Sequence, residues 1–316
     1  MVMPEDEMNL TFRSDIVWPW GLFFSQLAEY LSGEIPTLQK VKIDLVMGDL
    51  LTVQAIADGE ADVAFTTPPA CATMGYRGVG YFNRELTNLR AIGSIPHDDR
   101  MIWAVPADSQ IFSINDMADH PMRLVLANKD FPVRFAVERI LEAYGTSIDD
   151  LEQKGWQIIE ESHCLKIPTL VLDGRADAVI HEGRMTPAWM ELGKTCRMRY
   201  LPVDLSVLED LETEYGFRKA VLSKWMFPNM ETDIPCLDFA DWLLFTRDDV
   251  AEDFIYLLTK MLIEKRESLI EFHFRGIERN FNVVTCPVDP AQMNKNIGNI
   301  PLHKGAERYY KEQGIL

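Results

Sequence analysis

The run from Gly48 to Ala70, GDLLTVQAIADGEADVAFTTPPA, narrows the possible folds more than any other part of the chain. Leu51, Ala55 and Ile56 recur at helical spacing. Asp58-Gly59 then stops the helix, because glycine enters the left-handed region without a Cβ penalty. Ala61 to Phe65 is apolar apart from Asp62, which predicts a strand covered on both faces. Thr66-Thr67-Pro68-Pro69 follows at its carboxyl end, where open α/β sheets bind ligands. The pattern returns as Asp173-Gly174-Arg175-Ala176-Asp177, with a strand from Ala176 to Ile180 that ends in His181-Glu182-Gly183. Two such α/β units far apart in one chain predict two lobes with a ligand cleft between facing strand tips.

The flanking segments extend this reading. Leu10 to Arg13 is a strand and Ser14 to Pro19 a turn. A helix runs from Trp20 to about Leu31, with Phe23, Phe24, Leu27 and Leu31 on one face. Val41, Ile43, Leu45 and Met47 alternate with polar residues as a strand does. The resulting β-α-β-α-β order implies a parallel sheet. Gly75 to Asn83 reads as a loop. Leu89 to Ile95 and Met101 to Val105 read as strands joined by a compact polar turn, Pro96-His97-Asp98-Asp99-Arg100. Arg123 to Ala127, Trp156 to Glu160 and Arg197 to Leu201 are further strands, and Val133 to Tyr144 and Val250 to Lys265 are helices. The chain beyond about Val203 is otherwise irregular in pattern.

A length of 316 residues suits two lobes rather than one small core. With 49 acidic against 31 basic residues the net charge is −18, which argues against nucleic acid or an anionic membrane as partner. No run of 18 apolar residues is available to span a bilayer. The five cysteines are widely spaced and lack CxxC or zinc-type spacing, so they are expected as free thiols in a reducing compartment. The opening MVMPEDEMN has no basic and apolar leader pattern. The sequence as it stands is therefore expected in the cytoplasm, or in the periplasm if a signal peptide has been removed.

Several residue types point to ligand contact. Thr66 and Thr67 offer hydroxyls to a carboxylate at a strand end. Arg134, in the first turn of a predicted helix, offers a two-point guanidinium, or else is an ordinary surface arginine. Trp18 offers a stacking ring, whereas Trp20 reads equally well as the first core residue of its helix. His181 and Glu182, together with His97, are the acid–base candidates should the chain be an enzyme. A divalent ion held by these residues with Asp98 and Asp99 has no spacing to support it, so no metal or cofactor is expected. His163-Cys164 is an unsupported thiolate pair, since neighbours in an extended segment face opposite ways. Phosphate-loop, G-x-S-x-G and H-E-x-x-H patterns are missing.

Three segments carry a resemblance to a known family: LLTVQAIADGEADVAFTT, TLVLDGRADAVIHEG with Pro187-Ala188 shortly after, and the C-terminal IPLHKGAERYYKEQGI. The chain resembles solute receptors of the TRAP-associated extracytoplasmic immunogenic (TAXI) type, which have periplasmic-binding-protein folds of the second class. The resemblance implies a discontinuous first lobe, 1–105 with 201–316, and a second lobe, 106–200. Each lobe would be a mainly parallel sheet flanked by helices, and the lobes would close on a ligand by hinge motion. It implies a small carboxylate as ligand and, for a secreted protein, a TRAP-type membrane transporter as partner. The loop after the first strand touches ligand in this family, which adds Asp15 to Trp18 as a candidate. That loop and the one at Asn128 to Arg134 are bulkier here than the family's glycine-rich versions, which points to an aromatic acid. Two functions follow from these readings: a carboxylate-binding receptor, sensor or carrier, and a cytoplasmic enzyme on the same fold, such as a decarboxylase of an aromatic acid. His303, in the closing motif, is expected to tie the tail to a lobe.

Overall fold

The structure is a computed structural model that describes residues 8–15, 20–46, 48–183, 186–228, 230–271 and 288–316. In chain order it contains β1 (Met8–Asp15), α1 (Trp20–Glu34), β2 (Leu38–Val46), α2 (Asp49–Ala57), β3 (Val63–Thr66), α3 (Ala70–Arg77) and β4 (Leu89–Ile95). β5 (Ile102–Pro106), β6 (Arg123–Ala127), α4 (Pro132–Ala143), α5 (Ile148–Gln153), β7 (Gln157–Glu161), α6 (Ile167–Leu172) and β8 (Ala178–His181) follow. Then come α7 (Pro187–Thr195), β9 (Met198–Tyr200), α8 (Leu205–Tyr215), β10 (Lys219–Leu222) and β11 (Ile234–Leu237). β12 (Trp242–Arg247), α9 (Glu252–Glu264) and α10 (Lys304–Glu312) complete the series.

Among the described residues the chain forms two compact units, one of 8–97 with 241–271 and 288–316, and one of 98–240. Each is built on a five-stranded sheet. The first has the order β2-β1-β3-β12-β4 and the second β7-β6-β8-β5-β9. Counted with the reversed strand last, the two orders correspond, β6 standing to β7 and β8 as β1 does to β2 and β3, and β5 taking the place of β12; β12 is antiparallel to β3 and β4, and β5 to β8 and β9. The sheets are thus mainly parallel, as the alternation of strands and helices predicts.

The echoed Asp-Gly-x-Ala-Asp segments occupy equivalent places. Gly59 and Gly174 have φ of 80° and 67°, values that favour glycine over any residue with a Cβ. Ala61 and Ala176 are buried. The Asp62 carboxylate accepts the Thr11 N–H at 2.7 Å, and the Asp177 carboxylate accepts the Arg123 N–H at 3.0 Å. Their own N–H groups donate to the carbonyls of Thr11 and Arg123. Each aspartate therefore locks the first strand of its unit to the third.

In the first unit Phe12, Phe23, Phe24 and Phe65 form one aromatic cluster, with ring centroids 4.8 to 5.3 Å apart. Burying such side chains supplies roughly 2–3 kcal/mol each. The tail motif is part of the same unit. His303 Nδ1 accepts the Gly305 N–H at 3.1 Å, which caps α10, and its Nε2 lies 3.0 Å from the Val250 carbonyl. The Tyr310 hydroxyl donates to the Ile92 carbonyl at 2.9 Å. His303 ties the tail to the first unit as expected.

Four sequence readings need correction. Residues 98–105, expected in the first lobe, belong with the second unit, because β4 and β5 enter different sheets. Gly75 to Arg77 belong to α3 rather than a loop. β1 extends to Asp15, through residues read as a turn. Residues 201–240, expected in the first lobe, cluster with the second unit. Their hydrogen bonds explain why: Val203 N–H donates to the Pro235 carbonyl and Met101 N–H to the Leu237 carbonyl, while Phe217 packs against Phe135 and Phe239.

Candidate functional site

Both units end their third strand, at the carboxyl end, in polar residues that are largely withdrawn from water. In the first unit Thr66 is the last residue of β3 and lies opposite Leu243. Its side chain is fully buried, and its hydroxyl has no hydrogen-bond partner among the described residues. Such an orphan costs about 1–3 kcal/mol. Thr67 is half-buried, and its N–H donates to Asp49 Oδ1 at 3.1 Å. Asp49 opens α2 behind Gly48, whose φ is 97°. The Thr67–Pro68 peptide is cis. Pattern reading passed over Asp49, although an acid in the first turn after a glycine was a signal for it.

In the second unit His181 ends β8 opposite Ile102 and is buried. Its Nδ1 lies 2.6 Å from the Glu182 carbonyl. Burial pushes the imidazole down to about 4, against the opposite pull of the Glu182 carbonyl and the Asp99 carboxylate. The ring is therefore neutral near pH 7. A carbonyl only accepts, so Nδ1 carries the proton and Nε2 is left as an acceptor. The Glu182 carbonyl also accepts the Trp189 indole N–H at 3.0 Å. The turn continues through Gly183, whose φ is 106° and whose N–H donates to Asp99 Oδ1 at 2.7 Å. Asp99 Oδ1 accepts the Arg100 N–H as well, at 2.6 Å. Asp99 thus fixes the turn after β8 from the start of the segment that leads into β5. No sequence motif marked it for that task.

Arg134 lies in the first turn of α4, as predicted, and is buried. Its Nε donates to Glu138 at 2.8 Å, and one terminal nitrogen donates to Glu160 at 2.7 Å and to the Ala127 carbonyl at 3.3 Å. Two carboxylates already hold its guanidinium. His97 belongs to the first unit, buried and stacked on Trp242 with ring centroids 3.7 Å apart. Its N–H donates to Asp241 Oδ1 at 3.2 Å, and the Asp241 N–H donates to the His97 carbonyl at 3.2 Å. Asp241 has a φ of 73°, a left-handed conformation that aspartate adopts more readily than most residues. His97 and Asp241 therefore tie together the two points where the chain leaves and re-enters the first unit.

Asp15 is the last residue of β1. Trp18 lies outside the described residues. Among the described residues no three His, Cys, Asp or Glu side chains are grouped as a metal ion would need. Cys71 and Cys236 are buried, and no described helix is long and apolar enough to cross a membrane.

The paired sheets with one reversed strand each, flanked by helices, are the type II periplasmic-binding-protein fold. Similar solved structures include XAC2383 from Xanthomonas citri, bound to chloride ion, at 13% identity and a TM-score of 0.50 over 96% of this chain and 99% of that one. A protein from Bordetella bronchiseptica RB50 matches at 12% identity and a TM-score of 0.50, over 97% and 98% of the two chains. The alkanesulfonate-binding protein SsuA from Xanthomonas axonopodis pv. citri, bound to MOPS, is 12% identical with a TM-score of 0.45, covering 99% and 96%. At these identities the likeness is one of fold. The NMT1-like family model matches residues 21–314, nearly the whole length, and the chain belongs to the NMT1-like family.

Proposed function

We propose that this protein binds a small carboxylate, as a solute-binding protein of TAXI type or as a cytoplasmic sensor or carrier, with the end of β3 at Thr66 and Thr67 and the end of β8 at His181 and Glu182 each a candidate contact. The observation that carries the reading is the matched pair of strand ends in two sheets of one order. One presents a fully buried hydroxyl without a partner, Thr66, and the other a buried neutral imidazole, His181. Strand ends of this kind are where open α/β sheets take ligands. The threonine hydroxyl and the Thr67 side chain suit carboxylate oxygens. His181 Nε2, an acceptor, suits a hydroxyl or ammonium group. Arg134 joins the site only if ligand displaces Glu138 or Glu160 from it. Binding of this kind needs no metal or cofactor. A TRAP-type transporter is the partner only if a leader carries the chain out of the cytoplasm.

A thermal-shift screen of aliphatic and aromatic carboxylates, with and without hydroxyl or amino substituents, tests the reading. A ligand at one hundred times its Kd adds about 2.7 kcal/mol of stability. Thr66→Val keeps the volume and removes the orphan hydroxyl, so it should leave the fold at least as stable while weakening the ligand. Equal affinity in Thr66→Val and His181→Gln sinks the proposed site. Release of carbon dioxide from a stabilising ligand would instead make the protein a carboxy-lyase, with His181, Glu182 and His97 the residues to vary first.

A further inference from the structure

The outer edge of the second unit's sheet carries features that the strand-end site does not use. β9 is the last strand of that sheet, paired only to β5. Ala107 N–H donates to the Arg197 carbonyl at 2.9 Å, and Leu201 N–H donates to the Trp103 carbonyl at 2.8 Å. Antiparallel alternation therefore turns the N–H and C=O groups of Met198 and Tyr200 away from β5, towards the open edge. A cavity of about 460 Å³ lies along that edge, lined by Arg197 to Tyr200 together with Met230, Glu231 and Ile234. That volume holds a small organic molecule.

The charges and the apolar side chains of the lining define what fits. Arg197 is exposed and has no carboxylate partner among the described residues. Arg199 donates to the carbonyls of Ala107, Ser109 and Ile111 and lies 4.1 Å over the Phe112 ring, so its charge also meets no carboxylate. Glu231 is the one acid among the lining residues, and it pairs with neither arginine. On a chain of net charge −18, two uncompensated guanidiniums beside one cavity make a local site for an anion. Met198, Met230 and Ile234 supply apolar wall.

We propose that this cavity is a second binding site, for a small organic anion with an apolar body, such as a medium-chain or aromatic monocarboxylate. Arg197 takes the anionic head, the outward N–H groups of Met198 and Tyr200 donate to it, and the two methionines with Ile234 cover the body. The register separates it from the strand end: His181 lies opposite Ile102, whereas Met198 lies opposite Pro106. The proposal therefore stands independently of the function proposed above.

Calorimetric titration of the full chain with hexanoate and with benzoate at low salt tests it. Saturable binding is expected, weakened about tenfold or more in Arg197→Gln and weakened in the parent by added salt. Arg197 is exposed, so Arg197→Gln leaves the fold intact. Titrations unchanged in Arg197→Gln overturn the proposal, as does no saturable binding up to ~10 mM probe. Loss in Thr66→Val with none in Arg197→Gln assigns the probe to the strand ends and overturns the second site alone.

Discussion

His181 is neutral in a place closed to water, and this sets a pH dependence. A free histidine titrates near 6.5, whereas His181 is held at about 4. Above pH 6.5 neither the folded nor the unfolded chain carries the proton. As the pH falls below 6.5 the unfolded chain takes up a proton that the folded chain declines, so stability drops until about pH 4. The total loss from this group is about 3 kcal/mol. Urea melts from pH 7.5 to 4 should show a shallower decline for His181→Gln than for the parent, and parallel declines would remove His181 as the cause. Thr66 and Arg134 show what residue type conveys and what it withholds. Their positions at a strand end and in a helix's first turn follow from local pattern. That the threonine hydroxyl lacks a partner while the arginine already has two carboxylates depends on side chains distant in sequence.

The units are held by small recurring devices at the level of strands and helices. Asp62 and Asp177 perform the same task, each accepting a backbone N–H of the first strand of its own unit. Asp62→Ala and Asp177→Ala should each cost about 2 kcal/mol, the range for a charge-assisted hydrogen bond, measured by denaturant midpoints. A much smaller cost in one variant would break the equivalence. The closing P-L-H-x-G-A-x-x-Y-Y pattern is likewise explained by packing. A Cβ on Gly305 would lie 2.2 Å from the Glu252 carbonyl oxygen and 2.6 Å from the Tyr256 nitrogen, both backbone atoms of α9. Gly305→Ala should therefore push α10 off α9 and destabilise by about 3 kcal/mol, read as a lowered melting temperature. A neutral result would mean that this contact is looser than the structure has it. The closing segment is thus a docking device for the last helix.

For the molecule as a whole, the net charge of −18 opposes compaction. Raising sodium chloride from about 20 to 200 mM shortens the screening length by a factor of about three and should raise the melting temperature at pH 7. A fall would show that local ion pairs outweigh self-repulsion. Two units of one strand order were legible from the Asp-Gly-x-Ala-Asp echo, because a helix, a glycine stop and a buried strand each have a local signature. The central strand β12 was not read, although Trp242 to Phe245 is a continuous apolar run and β12 lies between β3 and β4 in the first sheet. Its sequence distance from those partners hid it.

The sequence by itself determined the repeated helix–glycine–strand segments and that Thr66 and His181 end strands in two alike α/β units. These follow from periodicity and backbone chemistry over a few residues. Only the tertiary structure decided that β4 and β5 part into separate sheets, that β12 and β5 run against their neighbours, and that 201–240 belongs with the second unit. It alone decided which buried polar groups find partners. Such choices are made by contacts between residues far apart in the chain, and no local pattern encodes them.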